Sequence, residues 1–307
     1  MTFVGALALA TRPKTLLLAV APVAVAAGIL TTCPPGSVRW IAIAFALAGA
    51  VFLQIGTNLA NDVFDAEKGA DGSRKAPADV RVVASGLLGA TTVASPWSWR
   101  SRVRLSWACA SRRGEDPGIV AIGVASILSG ILYTGGPWPL GYNGLGDVFV
   151  FVFFGPVAVL GTLVVCGATP GPWSFVAAIP VGVLATLVLV LNNVRDVEGD
   201  RKAAKRTLVV RFGRRFGLAE FDVGLAVAYA IPVALALASR HGILDLALLL
   251  PVATLPFALG LRTEVRKAEG RGFNELLSRT ARLALVHATC LAAGIAVSST
   301  SLPFVRP

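Results

Sequence analysis

Long apolar runs separated by short polar segments dominate this sequence. A helix needs about 17–25 such residues to cross a bilayer. Eight runs reach that length, near 15–32, 40–60, 118–133, 147–168, 173–192, 221–239, 243–261 and 281–299. The pattern predicts an all-α polytopic membrane protein, because a membrane-spanning helix satisfies its own backbone hydrogen bonds.

The polar segments between these runs predict the topology. Those at 62–90, 193–220 and 262–282 are long and rich in Lys and Arg. The positive-inside rule places them in the cytoplasm together with the basic N-terminus. Eight spans would leave the second of these loops outside, so one more crossing is required between residues 91 and 117.

Segment 91–117 does not look like a lipid-facing helix. It reads "TTVASPWSWRSRVRLSWACASRRGEDP", and each arginine at a helix centre costs about 2.5 kcal/mol or more. Either it is an interfacial or protein-buried helix, or it is not native sequence and results from a pair of compensating frameshifts. The abrupt change in composition favours the second explanation.

Composition excludes several classes of protein. Hydrophobic residues make up 55%, charged residues 15%, and mean hydropathy is +0.72, outside the range of soluble domains. The net charge of +11 does not indicate nucleic-acid binding, since the basic residues lie in loops. The first apolar run has signal-peptide features, but the later spans favour a first transmembrane helix. We therefore expect one integral membrane domain over residues 1–307 at the cell membrane.

Two amide- and acid-rich clusters each close an apolar run. In "NLANDVFDAEKGAD", helical spacing puts Asn58, Asp62 and Asp65 on one face, with Asn61 beside it and Asp71 further on. In "NNVRDVEGD", the spacing i, i+4, i+8 aligns a second set. That second set is Asn192, Asp196 and Asp200.

The matched clusters predict a cation site at the cytoplasmic surface. Four predicted spans separate the two clusters, so both lie on the cytoplasmic side of the membrane. The matched pattern also suggests an internal repeat. Oxygen ligands without His or Cys favour Mg²⁺, which proteins commonly hold together with substrate phosphates. Basic residues within the second motif, Arg195, Lys202 and Lys205, are candidates for binding diphosphate oxygens. The positive-inside rule explains most other loop cations.

The sequence resembles the UbiA superfamily of intramembrane prenyltransferases. The motifs that carry the resemblance are "TRPKTL", "NDVFD", "LYTGGPWPLGYNGLGD" and "NNVRDVEGDRKAAKRTL". Within that superfamily they are most similar to the branch that prenylates 1,4-dihydroxy-2-naphthoate. Pro137 replaces a lysine of many members, as is common in this branch, and Ala204 stands where glycine is usual.

The resemblance implies a fold and a reaction. The fold is a nine-helix bundle with a cavity open to lipid, in which 91–117 occupies the third helix. The reaction transfers a polyprenyl group from its diphosphate to 1,4-dihydroxy-2-naphthoate with loss of CO₂, giving demethylmenaquinone. Alternatives are another aromatic acceptor, such as 4-hydroxybenzoate or homogentisate, and, more remotely, a secondary transporter. Chain length and oligomeric state are not indicated.

The resemblance also implies residue roles. Asn61 and Asp65, supported by Asp62 and Asp71, would bind Mg²⁺ at the first motif, and Asp196 and Asp200 at the second. Asp65 and Asp196 would act directly in donor ionisation, with Tyr133 near the reacting carbon. Arg12 or Lys14 would orient the acceptor carboxylate, and Asn58 would also contact substrate.

Overall fold

The computed structural model describes residues 11–67, 130, 132, 133, 135, 138–239, 242–298 and 302–306, without the side chains of 62–67 and 271. Within that part of the chain it has seven helical spans long and apolar enough to cross a membrane. The predicted all-α membrane architecture is therefore confirmed. Segment 91–117 and Asp71 lie outside the described residues, so the count of nine helices and the single domain over 1–307 stay predictions.

Three of these spans lie before residue 166. The first two are α1 (Pro13–Leu30) and α2 (Ile41–Glu67). The third is α3 (Gly146–Val152), a π-helical turn (Phe153–Val157) and α4 (Ala158–Val165) in continuous succession. Pro156 lies inside the π-helical turn, where its missing N–H would otherwise interrupt an α-helical ladder.

The C-terminal half contributes the other four. They are α5 (Pro172–Lys202), α7 (Arg214–Ser239), a 3₁₀ helix (Ile243–Thr254) that continues into α8 (Leu255–Lys267), and α9 (Phe273–Val297). The short elements are 3₁₀ turns Leu140–Tyr142 and Gly270–Gly272, helix α6 (Leu208–Phe212), and strands β1 (Thr169–Pro170) and β2 (Val305–Arg306). The two strands pair in antiparallel fashion.

Helices α5 and α9 form the centre of the bundle. Helix α9 packs against α1, α5 and the long 3₁₀ helix, and α5 also packs against α3 and α7. Small residues allow the closest approaches: a Cβ on Gly28 would lie 2.5 Å from the backbone of Ala292, and one on Gly155 would lie 2.9 Å from Gly182. Such contacts between small residues are typical of helices packed in a membrane.

Backbone and side-chain contacts assign the helix ends to two sides of the bundle. On one side, the Arg39 N–H donates to the Cys166 carbonyl, and Gly171 N–H donates to the Phe304 carbonyl. On the other side, Asn58 of α2 contacts the start of α1, and Arg195 of α5 contacts the start of α9. Helices α1 and α9 pack extensively against each other and meet near their C-terminal ends, where Gly28 contacts Ala292, so they run parallel. The ends of α2 and α5 that carry the two motifs therefore lie on the same side.

Candidate active site at one end of the bundle

The second motif lies on the last turns of the longest described helix. Helix α5 includes the three positions predicted to share a face, Asn192, Asp196 and Asp200. Their helical spacing is thus confirmed. The Asp200 side chain is 4% exposed and that of Asp196 is 12% exposed, so both carboxylates sit at a largely enclosed helix end.

Arg195 organises this motif through several hydrogen bonds. Its Nε and Nη2 donate to the two carboxylate oxygens of Asp196, each at 2.8 Å, in a bidentate ion pair. Nη2 also donates to Asn192 Oδ1 at 2.8 Å. Nη1 donates to Oδ1 of Asn274 at 2.7 Å, in the first turn of α9. The guanidinium group therefore lies among the candidate ligands, with its plane fixed from two helices.

A turn after α5 brings Lys205 back to Asp200. Lys205 N–H donates to the Asp200 carbonyl at 2.8 Å and Ala204 N–H donates to that of Arg201 at 3.2 Å, the pattern of a Schellman C-cap. Ala204 has φ +55°, the left-handed conformation that this cap requires. Lys205 Nζ consequently lies 3.6 Å from Asp200 Oδ1, and 5.5 Å from the centre of the Tyr142 ring. Lys202, by contrast, is exposed.

The loop before α3 fits closely against this turn. Arg206 N–H donates to the Tyr142 carbonyl at 2.8 Å, and the Arg211 Nη2 donates to the Asn143 carbonyl at 2.9 Å. Asp147, in the first turn of α3, is 6% exposed and lies within electrostatic range of Lys205. The segment "GYNGLGD" is thereby positioned beside the second motif.

Tyr133 packs on two glycines of that segment. A Cβ on Gly141 would lie 3.1 Å from the tyrosine ring, and one on Gly146 would lie 3.1 Å from its hydroxyl and 3.4 Å from Leu189. Leu189 precedes Asn192 by one helical turn, a rise of about 4.5 Å. The Tyr133 hydroxyl and Leu189 therefore both lie against Gly146, on the side of α5 that leads to the second motif.

The first motif is described only in part. Asn58 is 4% exposed, and its Nδ2 donates to the Thr11 carbonyl at 3.0 Å and to Thr15 Oγ1 at 3.3 Å. This amide joins α2 to the start of α1. Asn61 is half-buried, and the backbone of Asp62 and Asp65 continues α2, while the side chains of these two aspartates are outside the described residues.

The predicted acceptor-binding residues lie at the start of α1. Arg12 has φ +50° as the residue preceding the helix, and its carbonyl accepts a hydrogen bond from the Thr15 hydroxyl at 2.9 Å. Lys14 is exposed. Because Thr15 also contacts Asn58, this helix start adjoins the first motif.

Three residues beside the second motif were missed by sequence reasoning. Tyr142 and Asp147 lie within a quoted motif, which was a usable signal, but no chemistry was assigned to them. Asn274 belongs to no motif, and only the packing of α9 against α5 brings it to Arg195.

Fold and site together define a helical integral membrane protein with a charged site at one end of its apolar bundle. The chain belongs to the UbiA prenyltransferase family, whose model matches residues 19–274. The expected family membership is therefore confirmed.

Curated relatives are similar over most of the chain. A 1,4-dihydroxy-2-naphthoate octaprenyltransferase from Mycobacterium tuberculosis is 37% identical over 299 residues, covering 94% of this chain and 96% of the relative. The Escherichia coli protein of that name is 36% identical over 207 residues, covering 66% of this chain and 67% of the relative.

A solved structure has the same fold. It is a UbiA homologue from Archaeoglobus fulgidus bound to GPP and Mg²⁺, with a TM-score of 0.66 and 15% sequence identity, and the match covers 94% of this chain and 99% of that one. At that identity the likeness concerns the fold alone.

Proposed function

We propose that this protein transfers a polyprenyl group from polyprenyl diphosphate to 1,4-dihydroxy-2-naphthoate, with loss of CO₂, in menaquinone biosynthesis. The observation that carries the proposal is similarity to a naphthoate octaprenyltransferase over 94% of the chain. The enclosed carboxylates and cations at the end of α5 supply the chemistry that a diphosphate donor requires. Chain length of the donor is left open.

We place the site at the cytoplasmic face of the cell membrane. The bundle end with the two motifs carries the basic segments around Lys205, Arg214 and Arg266, whereas the described loops on the opposite side carry Arg39 and Arg306. This asymmetry is the one that the positive-inside rule predicts.

The topology has a direct test in cysteine labelling. Arg201 and Ser37 are both exposed and lie on opposite sides of the bundle. In a variant without native cysteines, R201C should react with an impermeant maleimide only after the cells are opened, and S37C before. The reverse pattern would contradict a cytoplasmic site.

The residues at the end of α5 fit a magnesium ion. Asn192, Asp196 and Asp200 offer hard oxygen atoms on one helix face, the donor set that Mg²⁺ prefers. Among the described residues no three acidic, His or Cys side chains form a metal site by themselves. A shared site suits this arrangement: Asn61, Asp62, Asp65 and Asp71 of the first motif and the diphosphate would complete the coordination. When bound, Mg²⁺ would neutralise charge that develops on the departing pyrophosphate.

The cations of the second motif act on the same charge. Arg195 is held rigidly at the motif, so its guanidinium can donate to diphosphate oxygens with little loss of side-chain entropy. Lys205 holds the Asp200 carboxylate in place through their ion pair. Lys202 is exposed and can reach a diphosphate that lies above the helix end. Together these groups favour cleavage of the bond between carbon and the diphosphate oxygen.

Tyr133 would act at the other end of that bond. Its hydroxyl lies against Gly146, as does Leu189, which precedes Asn192 by about one helical turn, so the allylic carbon would meet the tyrosine ring when the diphosphate is at the motif. The face of the ring can stabilise the allylic cation, and the surrounding apolar helices exclude water. Arg12 and Lys14, at the start of α1, would orient the carboxylate of the acceptor, and Asn58 would hold this helix start in place.

An assay with a panel of acceptors and donors tests the proposal. Membranes containing the protein should form a decarboxylated prenyl naphthoquinol and release pyrophosphate in a Mg²⁺-dependent manner, as detected by mass spectrometry. Empty membranes are the control. Turnover of 4-hydroxybenzoate or homogentisate in preference to the naphthoate would contradict the acceptor, and no pyrophosphate release with any acceptor would contradict prenyl transfer.

A further inference from the structure

The hydrogen bonds around Arg195 pose a problem for metal binding. The guanidinium donates one hydrogen bond to each carboxylate oxygen of Asp196. Each oxygen keeps a second lone pair for a cation, but a cation bound there shares the negative charge, so the ion pair with Arg195 weakens. Arg195 then depends more on its other hydrogen-bond partners when the diphosphate needs a donor group nearby.

Asn274 offers Arg195 a partner that does not depend on Asp196. It accepts from Nη1, the nitrogen that Asp196 does not use, at 2.7 Å. Its backbone belongs to α9, whereas Asp196 and Asn192 belong to α5 together with Arg195 itself. An amide oxygen is neutral, so it fixes the guanidinium without competing with an anionic substrate for its charge.

We propose that Asn274 is a positioning residue that keeps Arg195 at the diphosphate subsite when the metal takes Asp196. This inference rests on the proposed function. Without Asn274, the guanidinium loses this bond to α9 and keeps its bonds to Asp196 and Asn192 on its own helix. Mg²⁺ then competes with an ion pair that the Asn274 bond no longer opposes, and the diphosphate faces a less firmly held donor.

Binding of inorganic pyrophosphate with Mg²⁺ tests the proposal apart from turnover. The purified full-length protein in detergent is titrated with the two together, and the rise in Tm gives the apparent Kd. Asn274→Ala should raise this Kd by about tenfold or more, the effect expected when a charged group loses a hydrogen-bond partner, and should raise the Mg²⁺ concentration at half-saturation. In the assay, KM for the donor should rise more than kcat falls.

A matched control and a double-mutant cycle separate positioning from packing. Ser278 lies one turn further along α9, where its hydroxyl donates to the Asn274 carbonyl at 3.2 Å without contacting Arg195; Ser278→Ala should leave the Kd unchanged. In an Arg195→Ala background, Asn274→Ala should add no further loss, because a residue that acts through Arg195 has nothing left to position. If Asn274→Ala does not fold, Asn274→Ser replaces it throughout.

The outcomes distinguish this inference from the proposed function. A wild-type protein that pyrophosphate and Mg²⁺ do not stabilise would contradict the proposed function itself. A wild-type response with an unchanged Kd in the Asn274 variant, or with additive losses in the Arg195 background, would overturn the positioning role alone.

Discussion

Replacing Ala204 with glycine should stabilise the protein. Ala204 has φ +55°, and the left-handed conformation costs a residue with a Cβ about 1–2 kcal/mol. Glycine avoids this cost but loses about 0.4–1 kcal/mol because its unfolded chain is more flexible. The net gain in free energy of unfolding lies between about 0 and 1.6 kcal/mol, with a midpoint near 0.8 kcal/mol. The exposed Ala204 methyl contributes little packing to offset it.

The neighbouring alanine is a matched control. Ala203 precedes Ala204 in the same turn but has φ −84° and ψ 13°, which alanine adopts without strain. Ala203→Gly therefore brings only the entropic cost and should lower stability by about 0.4–1 kcal/mol. The two glycine variants should differ by about 1–2 kcal/mol in opposite directions from wild type.

Thermal unfolding in detergent measures the difference. For a chain of 307 residues, at about 2.1 cal/mol/K per residue, 1 kcal/mol shifts Tm by about 1.5 °C, so Tm should rise by about 1 °C in Ala204→Gly and fall by about 1 °C in Ala203→Gly. Prenyl transfer should be retained in Ala204→Gly, since the turn that returns Lys205 to Asp200 is preserved. A lower Tm for Ala204→Gly, or equal shifts for the two variants, would refute the assignment of a strained C-cap.

Four further substitutions test the site. Asp196→Asn keeps the side-chain size and removes one charge, so the fold should survive while initial rates at low Mg²⁺ fall by about 10–100-fold. Higher Mg²⁺ should partly restore these rates. An undiminished rate at low Mg²⁺ would exclude a role of Asp196 in metal binding. Lys205→Ala should lower both Tm and activity, because it removes the lysine beside a buried carboxylate. Lys202 is exposed, so Lys202→Ala should lower turnover without changing Tm. An equal loss of Tm in the two variants would contradict the difference in burial. Gly146→Ala would place a methyl group 3.1 Å from the Tyr133 hydroxyl and so displace the tyrosine ring. The value of kcat should then fall with little change in the Mg²⁺ requirement. A kcat equal to that of the wild type would argue against a role for the ring.

Hydrophobic periodicity was sufficient to predict the membrane architecture. Each described span begins within about eight residues of its predicted start, because the length of an apolar run and the bilayer thickness fix a transmembrane helix locally. The polar ends were less predictable: α5 and α9 extend well beyond their apolar runs, to Lys202 and from Phe273. Helix termini in water or at an interface depend on capping and packing rather than on lipid.

The motif spacing likewise determined which residues share a helix face. Asn192, Asp196 and Asp200 align because a helix repeats every 3.6 residues, which needs no tertiary information. The composition of the two motifs favours Mg²⁺, since oxygen ligands without His or Cys select hard cations, and this ion stays a prediction for this chain.

Only the tertiary structure decided how the charges of the second motif are paired. Arg195 was predicted to face substrate, but packing of α5 against α9 gives it Asn274 as a partner. Its ion pair with Asp196 would also compete with a metal ion for that carboxylate. The strain at Ala204 depends on a turn whose backbone φ the sequence does not reveal. Contacts between helices distant in sequence depend on how whole faces pack, and local periodicity carries no information about that packing.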